Sequence, residues 1–308
     1  MATTTSITTT YAGEFAGKYI SAALLAGNTI ANGGLTIRPN VKFKEVVKRL
    51  ELDGIVKDGT CDFADTSTLT LTERILQPKE LQVNLELCKK DFRSDWDAVQ
   101  MGYSAFDNLP SSFQEYLIGY VAAKVAQKNE QNIWAGAEAA GSFDGFATLL
   151  AADAAKIEVT GQAVTAANVV DELGKVVDAI PSALYGRDDL HIYVAQNVFR
   201  AYKRALGGFA SGGQGAAGYM AQGNNQDINV LFFDGVKIFM ANGMPSNKMI
   251  ATTKDNLHFG ASLMSDAQEV RVLDMADLDG SQNVRIIMRF SCGVQYGVAE
   301  DIVTYGIA

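Results

Sequence analysis

The sequence predicts an α+β fold, and three observations predict it. One long helical stretch, Ser112–Trp134, lies in the first half of the chain. Before it, Thr68–Thr72 and Leu81–Leu87 alternate apolar with polar residues, the period of a half-buried strand. After residue 228, short apolar runs are separated by turn residues.

The long helix has a defined start. Ser112 and Glu115 have the spacing of a capping box, and Pro110 sits just before it, where a missing N–H costs nothing. Phe113, Tyr116/Leu117 and Tyr120/Val121 recur at helical spacing, and Ile118, Ala122 and Val125 widen the stripe. Lys124, Lys128 and Gln131 continue the face, so burial is expected in the first half only. At 1.5 Å per residue the helix is about 35 Å long.

From the N-terminus, residues 1–10 are Thr-rich and too poor in apolar groups to fold alone. Phe15, Tyr19, Ile20 and Leu24 predict a short helix over Tyr11–Leu25, broken by Gly27, Asn28, Asn32, Gly33 and Gly34. Two readings stand: a frayed terminus, or an arm that docks on a neighbour. Residues 38–97 hold 23 of the 61 charged residues. With turn residues at Lys57–Thr60 and Asp62–Ser67, they predict a long charged β-hairpin leading into a half-buried strand. A two-stranded ribbon is marginal alone in water, which favours a loop that pairs with another subunit over a solvated sheet edge.

Beyond the long helix, Gly136, Gly141 and Gly145 mark a turn. Thr165–Ile180 predicts a helix stopped by Pro181, Leu190–Val194 a buried strand, and Asn197–Leu206 a helix ended by Gly207. Residues 207–225 carry seven glycines and no charge. Strands are expected in INVLFF, VKIFMA, KMIATT, EVRVLDM, NVRIIMRFS and VQYGVA, with turns at Asp234-Gly235, Asn242-Gly243, Lys254-Asp255 and Asp279-Gly280.

The totals exclude several functions. A net charge of −9 argues against a nucleic-acid-gripping surface, which needs clustered Lys and Arg. No run of 18 apolar residues exists, and the N-terminus has no secretory pattern. Cys61, Cys88 and Cys292 are far apart and odd in number, so neither a disulfide framework nor a zinc site is expected.

No catalytic, cofactor or metal site emerges. Gly213-Gln-Gly215-Ala-Ala-Gly218 is a literal GxGxxG, but a helix, not a strand, precedes it. His191 reads as a core or edge residue and His258 follows a turn; neither has an evident nucleophile beside it. Asp274, Asp277 and Asp279 lack calcium-loop spacing and read as a hairpin turn. Asp171 and Glu172 read as a solvated helix face. What remains are assembly features: an arm, a projecting hairpin, a rigid helix, and an uncharged loop that many copies can crowd around a symmetry axis.

The order of these parts resembles the major capsid proteins of tailed bacteriophages, the Hong Kong 97-type fold. Residues 1–40 are similar to that family's N-arm and 41–77 to its extended E-loop. TERILQPKELQVNLELCKKDF resembles the strand returning into the P-domain, and 112–134 the spine helix, followed by SFDGFATLL as the glycine-containing turn. DDLHIYVAQNVFRAYKRALGG resembles the A-domain strand and helix. DGVKIFMANGMPSNKMIATTKDNLHFG and VRIIMRFSCGVQYGVAEDIVTYG resemble the late strands and the return to the A-domain.

The resemblance implies a P-domain of 78–164 and 262–290 and an A-domain of 165–261 and 291–308. It implies pentamers and hexamers in an icosahedral virion shell, built in the host bacterial cytoplasm with portal and scaffold partners, and no cofactor. The shell would enclose double-stranded DNA without sequence-specific binding. Lys57, Asp58, Asp62 and Asp65 would form the E-loop tip, and Gly212, Gly213, Gly215 and Gly218 the capsomer-centre loop. Phe113, Leu117, Tyr120, Val121 and Val125 would form the spine's packing stripe. Some members carry a scaffolding segment before the N-arm; none is seen here, which implies a separate scaffold protein or none. A Lys–Asn crosslink is left unassigned. Two rivals stand: an encapsulin-type shell with protein cargo, and a soluble α/β enzyme using the Gly-rich loop.

Overall fold

The structure, a computed structural model, describes residues 28–52, 56, 58–59, 69–88, 111–206, 231–262 and 270–307. Statements of structure below concern those residues. A five-stranded sheet is built around β12 (Asn283–Tyr296). On one side β4 (Lys79–Cys88) pairs antiparallel with it over ten residues, from Cys88↔Asn283 to Lys79↔Cys292. The other side is shared by β11 (Val270–Asp274) and β10 (Leu257–Ala261), and β1 (Thr36–Arg38) adds parallel to β10. Alternation sorts β12 into two faces. Val284, Ile286, Met288 and Phe290 are buried, while Arg285, Ile287 and Arg289 point away from the core.

The helix α2 (Ser111–Ala135) contributes to the same continuous hydrophobic core. It begins at Ser111, one residue before the capping Ser112 predicted, and ends within one residue of expectation. Ile118, Val121, Ala122 and Val125 of the expected stripe are buried, and Tyr120 is a correction. Tyr120 is 55% exposed, and the inward positions are Ile118, Val121/Ala122, Val125/Ala126, Asn129/Glu130 and Asn132/Ile133/Trp134. From Ile118 onward, where side chains are described, burial therefore continues through the C-terminal half instead of fading. Polar residues hid this: Asn129, Glu130 and Asn132 read as solvent positions, and for Glu130 and Asn132 buried partners explain the burial. Glu130 accepts from the Thr29 N–H at 3.2 Å and from its hydroxyl, and the Trp134 indole donates to the same hydroxyl at 2.7 Å. Asn132 accepts from Ser142 Oγ at 3.0 Å. The glycine turn that follows is set by close approach: a Cβ on Gly136 would sit 2.1 Å from the Phe143 carbonyl oxygen. The short helix α3 (Phe146–Ala151) then starts.

The second sheet has six strands in the order β5-β13-β9-β6-β8-β7. Its ends are β5 (Ile157–Val159) and β7 (Leu231–Phe233). At its centre β6 (Leu190–Ala195) is buried at every residue, between β8 (Val236–Ala241) and β9 (Met249–Thr253). The helices α4 (Val169–Asp178) and α5 (Gln196–Leu206) pack on it, and β13 (Val303–Tyr305) brings the C-terminus home. Asp234 and Gly235, both at positive φ, make the tight β7–β8 hairpin that the sequence predicts.

Several expectations change. NVRIIMRFS and VQYGVA, two strands by sequence, are one in the structure: β12 runs unbroken from 283 to 296. Strand membership therefore crosses the expected domain boundaries: β10 and residues 291–296 belong to the five-stranded sheet, and β5 to the six-stranded one. Asn28–Ala31, expected as a helix break, forms a helical turn, α1, with Gly33 at positive φ closing it. With Ile30 and Leu35 buried, residues 28–38 are part of the body. Glu172, expected on a solvated face, is 1% exposed. It accepts from Tyr305 Oη and Lys175 Nζ, each at 2.7 Å, and from Gln162 Nε2. The predicted helix over Tyr11–Leu25 lies outside the described residues.

The Thr29–Glu130–Trp134 cluster ties the entering chain to the long helix. Glu130→Ala strands two buried donors and is expected to lower unfolding stability by about 1–3 kcal/mol, with Glu130→Gln milder. Urea denaturation midpoints check this.

Candidate assembly surfaces

The residues that chemistry cannot account for within one chain lie on the hairpin of β2 (Glu45–Leu52) and β3 (Leu69–Leu76). Its antiparallel register, Glu45↔Leu76 through Leu52↔Leu69, divides the side chains into two sets. One set faces the body at the root. Val47 and Leu76 are buried there with Val41, in a small core of their own. Gly260 makes room, since a Cβ at that position would meet Leu76 Cδ2 at 2.9 Å. The other set contains Val46, Leu69, Leu71 and Ile75, all exposed, with Leu71 at 64%. In register, Leu71 and Leu69 oppose Leu50 and Leu52, and Val46 opposes Ile75, with Lys48 opposite Glu73 between them. The charged hairpin of the sequence is thus an amphipathic ribbon with an open apolar face.

The root is held by polar contacts. Arg74 Nη2 meets Asp153 Oδ2 at 2.6 Å, its Nε donates to the Gly297 carbonyl at 3.1 Å, and its Nη1 to Tyr296 Oη at 3.1 Å. The guanidinium also lies over the Tyr296 ring, 4.3 Å from its centroid. Tyr296 Oη donates to Asp153 Oδ2 at 2.7 Å. That hydroxyl, with the Ala155 N–H and Arg74, holds the Asp153 carboxyl down at about 2 against the opposing effect of burial. Burial and the neighbouring carboxylate push the Tyr296 phenol well above its usual range. Arg49 pairs with Glu300 at 2.7 Å, Arg38 pairs with Glu45, and Gln295 Nε2 donates to the Ile75 carbonyl at 3.0 Å. Together these fix the angle at which the ribbon leaves the body.

Of the residues singled out by sequence, Asp58 is exposed near the ribbon tip, while Lys57, Asp62, Asp65 and Cys61 lie outside the described residues. So do Gly212, Gly213, Gly215 and Gly218, and with them the GxGxxG stretch. Phe113 and Leu117 fall on α2, but their side chains are outside the description. Val121 and Val125 face the core and Tyr120 does not. His191 is buried, its Nδ1 2.8 Å from the Asp189 carbonyl, and burial pushes its pKa down. His258 is buried in β10, where burial and then Arg38 bring it to about 4. Cys292 is a core thiol pushed up to about 12 by burial, and Cys88 is half-buried at the end of β4. Among the described residues no three His, Cys, Asp or Glu side chains gather as metal ligands. No helix there is long and apolar enough to cross a membrane. The sequence reading missed the open apolar face and the Arg74 anchor. The face was signalled by the alternation in LTLTERI; the anchor left no local signal, because Asp153 and Tyr296 are 79 and 222 residues from Arg74.

No protein-family model matches the sequence, and no curated protein matches it. Solved structures do. The capsid of a native GTA particle aligns over 99% of this chain and 94% of its own, with a TM-score of 0.60 at 14% identity. The structure titled Gordonia phage Cozz covers 91% of this chain and 86% of its own, at TM-score 0.56 and 14% identity. A virus-like particle from Pyrococcus furiosus covers 94% and 96%, at 0.53 and 9%. At such identities the likeness is one of fold: the chain has the fold of tailed-phage capsid proteins, as the order of its parts implied.

The Asp153 carboxyl is depressed in the folded state, so its contribution is complete above the unfolded value near 3.8 and is lost as pH falls toward about 2. The shift corresponds to roughly 2 kcal/mol. Asp153→Asn is expected to lower stability at pH 7 and to flatten the loss of stability between about pH 4 and 2. Equilibrium unfolding at stepped pH measures both.

Proposed function

We propose that this chain is the major capsid protein of a tailed bacteriophage. Its copies assemble as pentamers and hexamers into an icosahedral shell around double-stranded DNA. The observation that carries the reading is the open apolar face of the β2–β3 ribbon, on a body whose fold matches capsid subunits over almost its full length. Burying a Leu side chain stabilises by about 1.5–3 kcal/mol, so a face with Leu69 and Leu71 gains substantially from a neighbour's surface and gains nothing while exposed. In this reading residues 41–77 are the E-loop laid over an adjacent subunit, with Lys57, Asp58, Asp62 and Asp65 at its tip. The loop with Gly212, Gly213, Gly215 and Gly218 faces the capsomer centre, and the residues before 28 tie neighbours together. Function is mutual burial, without a catalytic centre or cofactor. The shell forms in the host bacterial cytoplasm with portal and scaffold proteins, and becomes part of the virion. The acidic balance of the chain suits a container that holds DNA without gripping it.

Light scattering and negative-stain imaging of the purified protein, with and without a scaffold protein, test this. Closed particles or five- and six-fold rings are expected, and nuclease-protected DNA inside native particles separates a phage shell from an encapsulin-type one with protein cargo. A protein that remains monomeric at high concentration under both conditions contradicts the proposal. Leu69→Asp with Leu71→Asp, or deletion of Asp58–Ser67, is expected to leave a folded subunit that no longer closes shells; normal shells from either variant would remove the ribbon from the interface.

A further inference from the structure

Two short connections carry the chain between its sheets. β9 of the six-stranded sheet passes into β10 of the five-stranded sheet through the single turn Lys254–Asn256. β12 returns to β13 through residues 297–302. The second connection is irregular backbone, without a strand ladder to pair its N–H and C=O groups. One side chain of the first connection pairs them instead. Asn256 is buried, and its Oδ1 accepts from the Val298 N–H at 2.7 Å and the Gly297 N–H at 3.1 Å. Its Nδ2 donates to the Val298 carbonyl at 2.8 Å and to Thr252 Oγ1 at 3.1 Å. Every donor and acceptor position of the amide is thus used. The Asn256 main-chain carbonyl shares the Gly297 N–H at 3.0 Å.

The clamped segment is also where the ribbon lands. Arg74 of β3 donates to the Gly297 carbonyl, and Arg49 of β2 pairs with Glu300 in the same connection. A Cβ on Gly297 would sit 3.0 Å from Asn256 Oδ1 and 3.9 Å from Val47 Cγ1, so clamp and ribbon root close on one stretch of backbone. The remaining anchors of Arg74 stand on regular elements: Tyr296 ends β12, and Asp153 follows α3. They fix the point at which the guanidinium sits. Arg49, on the opposite strand, adds a second point, and two points fix a direction. That second point, with the Gly297 carbonyl, lies on the irregular connection that Asn256 holds.

We infer that Asn256 is the positioning residue of the ribbon: its side chain holds the ledge on which both strands are anchored, and so sets the direction in which the ribbon leaves the body. Both short connections between the sheets meet at this amide. A change in the angle between the sheets therefore moves the ledge, and the ribbon turns with it. A buried network of this kind, with all its members paired, is rigid, whereas one lost partner leaves the others free to shift. The consequence for assembly rests on the shell reading above; the clamp itself does not. A ribbon already held in one direction meets a neighbouring copy without first losing that freedom, which lowers the cost of the contact.

Distances between spin labels on the dissociated full-length subunit test the clamp. Thr70→Cys on the ribbon is paired with Gln127→Cys on α2, and separately with Asp178→Cys on α4, in a Cys61→Ser, Cys88→Ser background; all three label sites are exposed. One narrow distribution is expected for each pair, and Asn256→Ala is expected to widen both. Asn197→Ala is the control. It removes the hydrogen bonds with Asn247 that join α5 to the turn between β8 and β9, and is expected to lower the thermal midpoint while both distributions stay narrow. Should Asn256→Ala not fold, Gly297→Ala takes its place: it keeps the asparagine, crowds its Oδ1 and is expected to shift both distributions. Unchanged distributions in the folded variant, or equal widening by Asn197→Ala, would overturn the clamp. In assembly, Asn256→Ala is expected to lower the yield of closed shells about tenfold. A widened ribbon with a wild-type yield would overturn its part in assembly. A wild-type protein that never associates would remove the shell reading, and the distance distributions would still decide the clamp.

Discussion

A two-stranded ribbon carries Val46, Leu69, Leu71 and Ile75 exposed on one open face, and no described residue of the chain buries them. Two strands alone are marginally stable in water. The ribbon keeps its form at the root because the opposite set of side chains is spent there: Val47 and Leu76 in a small core, Arg74 on Asp153 and Tyr296, and Arg49 on Glu300. One face is anchored and the other is unsatisfied. In the proposed reading, that asymmetry makes the chain a component of a larger shell.

The rest of the molecule serves as a mount for that ribbon. The long helix and the five-stranded sheet share a continuous core that includes the six-stranded sheet, so forces on the ribbon root reach a closely packed body. Polar groups stitch the pieces together at buried sites where their loss is costly. Glu130 ties Thr29 and, through it, Trp134; Tyr193 Oη donates to the Gly34 carbonyl at 2.6 Å; Glu172 gathers Tyr305, Lys175 and Gln162. A rigid mount is what interfaces between copies require, because contact energy gained at one edge is lost if the subunit can bend away from the next.

Much of this was legible in the sequence. Helical spacing of apolar residues points to α2 and α4, and apolar composition between turn residues to β6 and the late strands, because each buries one face or is buried entirely. Asp234-Gly235 marked its hairpin because positive φ selects such residues. Hydrophobicity failed where burial is polar: Glu130, Asn132 and Glu172 look like solvent-facing residues, and partners up to 133 residues away explain their position. It failed again at β12, where Ser291, Cys292 and Gly293 weaken the apolar pattern although the strand continues past them. Gly293 is needed there for space, since a Cβ would come within 2.9 Å of the Gln77 carbonyl oxygen. The ribbon itself was found by its alternation, but which face is anchored depends on Arg74 reaching Asp153 and Tyr296, and no local pattern encodes that.

The central claim is that the ribbon's apolar face is buried between copies. Amide hydrogen exchange of residues 45–52 and 69–76, compared between dissociated subunits and purified shells, tests it most directly. Fast exchange along both strands beyond the root in the subunit, and strong protection of the same amides in the shell, is the predicted result. Equal exchange in the two states, with particles verified as closed, would show that the ribbon remains free in the assembly and would contradict the account.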